Sequence, residues 1–146
     1  MRRAGRGDQV APGVEDPDAI VETDRSVSAV TTAGVVGLTV TKSVDFGTTM
    51  IGLGVSPAIV ERNPIAAAAI VQLGTVPGLL AVGLLTVGLT VVLVEGGFGL
   101  ATGRAAGDGV SSARTGRLVC YGVGCTCNLA IAAHNVVVIL AVAFPR

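Results

Sequence analysis

Large aromatic side chains, charge and histidine are all scarce in this chain of 146 residues. It has no Trp, one Tyr and three Phe, little of the bulky surface that packs a water-soluble core. Only 14% of its residues are charged, against about 25% in average soluble domains, which argues against a soluble enzyme. A single His excludes a haem held by two histidines of one chain and any His-x-x-x-His metal pair. Ten basic and ten acidic residues cancel, and without a clustered basic face nucleic acid is not an expected partner. Cys120, Cys125 and Cys127 share one apolar run. Neighbours so close on one helix do not reach disulfide geometry, so no disulfide scaffold is expected.

Arg2-Arg3 is followed by an acidic stretch where a twin-arginine signal needs an apolar core. Arg2 also stands where myristoylation needs glycine, and the C-terminal residues lack a prenylation cysteine. Membrane attachment is therefore expected from internal segments.

Those segments are conspicuous. Apolar residues make up 51% of the chain, with 21 Gly in addition, and the mean hydropathy is +0.74. Residues 1–26 are polar and hold six of the ten acids (Asp8, Glu15, Asp16, Asp18, Glu22 and Asp24); they read as a disordered acidic tail. Residues 27–146 read as a membrane domain with apolar runs over about 27–53, 64–94 and 116–144. Each exceeds the roughly 20 residues that cross a hydrocarbon core of about 30 Å. The runs are too long and unbroken for barrel strands, and no repeat marks a solenoid. The expected fold is all-α, an integral membrane bundle of three transmembrane helices. The second run is longer than a straight span needs, which predicts tilt, an interfacial end, a kink at Pro77, or two separate segments. Residues 95–115 read as a Gly-rich polar link.

Basic residues set the expected orientation. Near the spans, Arg25, Arg104, Arg114 and Arg117 lie on one side and Arg62 and Arg146 on the other. That asymmetry predicts a multi-pass protein of the cell membrane, N-terminus cytoplasmic and C-terminus outside.

Polar residues inside apolar runs must find partners within protein. Asp45, Gln72 and His134 lie eight, nine and ten residues from the outer ends of their runs at Leu53, Asn63 and Phe144. A rise of 1.5 Å per residue puts all three roughly 12–15 Å below the outer surface. Asp45, Thr48, Thr49 and Gly52 share one helical face, and Lys42 is within ion-pair reach of Asp45. Cys120, Cys127 and His134 stack on one face of the third run, with Asn128 and Asn135 on an adjacent one. Asp45, Thr48, Thr49, Gln72, His134 and Asn135 thus form a candidate polar cluster for an ion, a proton relay or a small polar ligand. The competing reading makes them interhelical glue. An Asp45–His134 metal site is a third possibility, without a two-ligand motif to support it. The pattern calls for no cofactor.

At the junction between the first two runs, Asn63 is placed to cap a helix and Pro64 to open it. Glu61 reads either as part of that helix start or as a lid of negative charge over Asp45. Gly74 and Gly78 form a Gly-x-x-x-Gly that would let helices approach closely.

Asp45-x-x-Thr48 followed by Glu61-x-Asn63-Pro64 resembles a family of small prokaryotic membrane proteins, domain-of-unknown-function family 5658. The resemblance covers about residues 30–143 and implies three or four spans, with His134-Asn135 similar to polar positions in the last. It implies no activity.

Three helices make too thin a bundle to enclose a pathway alone, so a homo-oligomer or another membrane protein is the expected partner besides the lipid bilayer. Ala33, Gly34 and Gly37 are candidate contacts. The leading functional expectation is an accessory or oligomeric subunit. An oligomeric ion or proton conduit using Asp45 and His134 comes second, and a membrane enzyme built on Asp45, Glu61 and His134 last.

Overall fold

In the computed structural model, backbone is described for residues 17–102 and 109–145, and side chains for 28–101 and 112–145. Described residues form four helices, α1 (Pro17–Val55), α2 (Pro64–Leu73), α3 (Thr75–Thr102) and α4 (Gly109–Ala143), with no strand among them. The protein is all-α.

Helix α1 starts ten residues earlier than its apolar run. Proline fits the first helical turn, and no Gly or Pro interrupts the sequence between Pro17 and Gly34. The segment expected as an acidic tail is therefore helical over residues 17–26, while residues 1–16 lie outside the described part. The expected link shrinks too. Helices α3 and α4 reach Thr102 and Gly109, because Glu95, which seemed to end the apolar run, is paired inside the bundle.

The second run is two helices. Asn63 caps α2, its Oδ1 accepting the Ile65 and Ala66 N–H groups at 3.0 and 3.4 Å, and Pro64 occupies the first turn. The chain turns at Gly74, whose φ of +88° is a conformation that glycine adopts freely. A Cβ on Gly78 would lie 2.7 Å from the Ala69 carbonyl carbon and oxygen. Residues nine apart in one helix are about 13 Å apart along its axis, so α2 folds back on α3 as a tight hairpin. The break precedes Pro77 by three residues. Gly78 does allow a close helix approach, whereas Gly74 makes the turn itself.

Contact pairs fix the directions of the long helices. Gly34 meets Tyr121, Gly37 meets Cys125, Leu38 meets Gly124, and Gly52 meets Ile139, so α1 and α4 run parallel. Helix α3 is antiparallel to both, with Gly83 beside Lys42, Thr31 bonded to Glu95, and Phe98 over Gly116. A Cβ at Gly34 or Gly116 would collide with the Tyr121 or Phe98 ring. The glycines expected to contact another copy, Gly34 and Gly37, are thus occupied by α4 of the same chain.

Among the described residues two helical segments are long and apolar enough to cross a membrane, Thr75–Ala101 and Ser112–Ala143. Helix α1, despite its 39 residues, carries Lys42, Asp45 and many threonines and glycines. The apolar core is thin, centred on Leu38, Val94 and Tyr121 with Val87, Val91, Phe98 and Cys125 around it.

Candidate functional site

Polar side chains gather at two levels of the α1–α3–α4 bundle. The lower level is centred on Glu95 of α3. Its Oε1 accepts hydrogen bonds from Thr31 Oγ1 at 3.0 Å and Tyr121 Oη at 2.8 Å. Its Oε2 accepts from Arg117 Nε at 2.9 Å. The Arg117 guanidinium carbon also lies 5.4 Å from the centre of the Phe98 ring, within cation–π range. One carboxylate thus joins three helices. Nothing in the sequence pattern singled out this cluster, although Glu95 interrupting an apolar run was a signal.

About 21 Å higher along α1, at 1.5 Å per residue, lies the level that the sequence did single out. Asp45 is buried, with 6% of its surface exposed. Its Oδ2 takes Lys42 Nζ at 2.7 Å and its Oδ1 takes Asn135 Nδ2 at 3.3 Å. Asn135 Nδ2 also reaches the Thr48 and Thr49 hydroxyl oxygens at 3.3 and 3.0 Å, while Thr48 donates its own proton to the Asp45 carbonyl at 2.9 Å. One turn below, Asn128 donates to Thr41 at 3.3 Å. The adjacent-face assignment on α4 therefore holds: Asn128 and Asn135 face α1, while Cys120, Cys127 and His134 are exposed.

This level opens into a cavity of about 460 Å³, within the range of small-molecule sites. Asp45, Thr48, Thr49, His134 and Asn135 line it, joined by Lys42, Glu61, Arg62 and Asn63. The segment between α1 and α2 supplies one wall, with Ala58 to Asn63 all contributing. Glu61 belongs to the helix start, its Oε1 accepting the Asn63 N–H at 2.7 Å, and it also borders the cavity.

Two expected members stand apart. Gln72 is exposed and does not line the cavity; it lies at the end of the short helix α2, which packs on α3, and not on a span beside Asp45. His134 lines the cavity, but the Asp45 carboxylate is engaged by Lys42 and Asn135. Pro64 acts only in the helix start. Among the described residues no three His, Cys, Asp or Glu side chains converge as a metal would require, and the three cysteines are free thiols.

Known proteins offer no guide, since no family model, curated protein or solved structure matches this chain.

Proposed function

We propose that the chain is an integral membrane protein crossing the bilayer with α1, α3 and α4, and that it serves as a non-enzymatic, ligand-holding subunit of an oligomer or a larger membrane assembly. The observation that carries this reading is an inverted distribution of polarity. Leu84, Leu85, Val92 and Leu93 of α3 and Val137 of α4 are each more than 60% exposed, while Asp45 and Arg117 are buried and paired. In water such a surface would drive aggregation; in lipid it is the stable arrangement, because only buried polar groups find partners there. The parallel run of α1 and α4 with α3 reversed suits three crossings. On this reading the cell membrane is the location, and α2, about 15 Å long at 1.5 Å per residue, is a half-length helix that enters and leaves on one side. The N-terminus is cytoplasmic, with Arg25, Arg104 and Arg114 on that side; Arg117, paired to Glu95, no longer counts as a free loop charge. The likeness to domain-of-unknown-function family 5658 brings no activity to this assignment.

Alkaline carbonate extraction and a C-terminal alkaline phosphatase fusion test the reading. The protein is expected in the membrane pellet and the fusion active. Release into the supernatant would remove the membrane assignment, and an inactive fusion that is present at full length would reverse the orientation.

A second reading, an oligomeric ion or proton conduit through Asp45 with His134 at its mouth, has one observation in its favour. Polar groups recur along α1, at Thr31 against Glu95 of α3 and at Thr41 and Asp45 against α4, interrupted by buried Leu38 against Gly124. Proteoliposomes that pass protons, lose flux with Asp45→Asn and gain it with Leu38→Ala would favour the conduit. No flux from a verified oligomer would count against it.

A further inference from the structure

We propose that the segment between α1 and α2 dips back into the bilayer, and that the cavity behind it is a water-filled vestibule admitting small water-soluble solutes from the C-terminal side. This rests on the membrane reading above and names the ligand class of that site. The depth follows from the helix directions. Helix α3 descends beside α1, with Gly83 against Lys42. Gly74, nine residues before Gly83, therefore lies about 13 Å above Lys42 at 1.5 Å per residue. Helix α2 is folded against α3 with Ala69 at Gly78, and Ala66 shares the cavity wall with Val82 and Gly83. It thus rises toward Gly74, and Pro64 starts it about 15 Å lower, level with Lys42. A second count agrees. Ile59 packs on Gly52, which stands about 15 Å above Lys42 along α1. The non-helical chain from Ile59 to Asn63 descends about 13 Å when extended.

Non-helical backbone at membrane depth must be buried in protein or line water. Here protein does not supply the partners. Among the described residues, the backbone N–H and carbonyl groups of Val60, Glu61 and Arg62 are unbonded, and so is the Arg62 side chain. All three residues line the cavity. Hydrocarbon there would leave the backbone and a guanidinium unsatisfied, whereas water satisfies both. A bilayer lipid fits poorly, because the polar floor at Asp45 and Asn135 lies deeper than the apolar wall of Val138, Ile139 and Val142. The start of α2 takes no ligand, since Asn63 Oδ1 already accepts its Ile65 and Ala66 N–H groups. The floor does keep unspent donors for a solute. Lys42 has further ammonium protons beyond the one on Asp45, and the Thr49 hydroxyl only accepts, from Asn135.

The test is thiol labelling by a membrane-impermeant quaternary-ammonium methanethiosulfonate, added on the side where the phosphatase fusion reports the C-terminus. In the full chain Cys120, Cys125 and Cys127 are replaced by alanine and single cysteines introduced. Val60→Cys reports the dipping segment, and Thr49→Cys and Gly83→Cys report the floor. Val44→Cys and Leu85→Cys are lipid-facing controls of similar depth, 45% and 65% exposed and outside the cavity lining. The thiolate is the reacting species, and it forms in water rather than in hydrocarbon. Val60→Cys and at least one floor cysteine should react about tenfold or more faster than either control. Circular dichroism verifies that each variant is folded. Reaction confined to Val60→Cys, no reaction above the controls, or equal reaction of all five in carbonate-resistant protein would overturn the proposal. Failure of the membrane reading itself is seen separately, as release of the native protein by carbonate.

Discussion

The two polar levels of the bundle use similar groups to opposite effect. At the lower level one carboxylate, Glu95, is bonded by donors from two other helices, Thr31 of α1 and Arg117 and Tyr121 of α4, and its ion pair links α3 to α4. At the upper level the ion pair lies within a single helix, Lys42 to Asp45 three residues apart, and only Asn135 ties it to α4. The lower level is closed by rings, with Tyr121 packed on Gly34 and Phe98 on Gly116. The upper level faces a 460 Å³ cavity. A salt bridge between helices stabilises their arrangement when both charges lose water together; one within a helix leaves the neighbouring helices free to line a space. The difference separates a structural tie from a site.

Substitutions can break or sharpen that contrast. The largest effect is expected from Gly34→Leu, which puts a side chain where the Tyr121 ring lies. Overpacking of this kind costs about 1–3 kcal/mol or more, and here it also pulls Tyr121 from Glu95. The variant should fail to give a monodisperse, helical protein in detergent, as read by size-exclusion chromatography and circular dichroism. Gly78→Val should be next. Its side chain would push against the Ala69 backbone, opening the hairpin and the cavity wall while leaving the lower level intact. The melting temperature should fall by less than for Gly34→Leu.

Asn63→Ala removes the cap of α2 and should cost about 0.5–2 kcal/mol in thermal unfolding, with the loss confined to the cavity side. Gln72→Ala should change stability by no more than about 0.5 kcal/mol, because Gln72 is exposed and away from both levels. A large effect there would place a third polar contact in the molecule.

Much of the upper level was legible because its determinants are local. Asp45, Thr48, Thr49 and Gly52 follow helical spacing, Lys42 precedes Asp45 by one turn, and Asn63-Pro64 is a helix start whose cap forms as expected. Asn128 and Asn135, seven apart, fell on one face for the same reason. The lower level was not legible, since Thr31 and Glu95 are 64 residues apart and nothing in local spacing pairs them. Glu95 and Arg117 looked like the polar ends of apolar runs, yet each cancels the cost of burying the other. The turn at Gly74 was hidden in the same way. A glycine within an apolar run is compatible with a continuous helix, and only packing of Gly78 on Ala69 makes the reversal favourable.

Thermal unfolding in detergent of Glu95→Gln beside Asp45→Asn tests the central contrast most directly. Glu95→Gln leaves the buried Arg117 without its counter-charge and should cost up to about 3–5 kcal/mol. Asp45→Asn keeps the shape of the side chain and leaves Lys42, 22% exposed at the cavity, free to turn into open space, so its loss should stay within about 1 kcal/mol. A melting temperature lowered strongly by Glu95→Gln and little by Asp45→Asn is the predicted result. Equal losses, or a larger loss from Asp45→Asn, would contradict the account and make the upper level structural glue like the lower one.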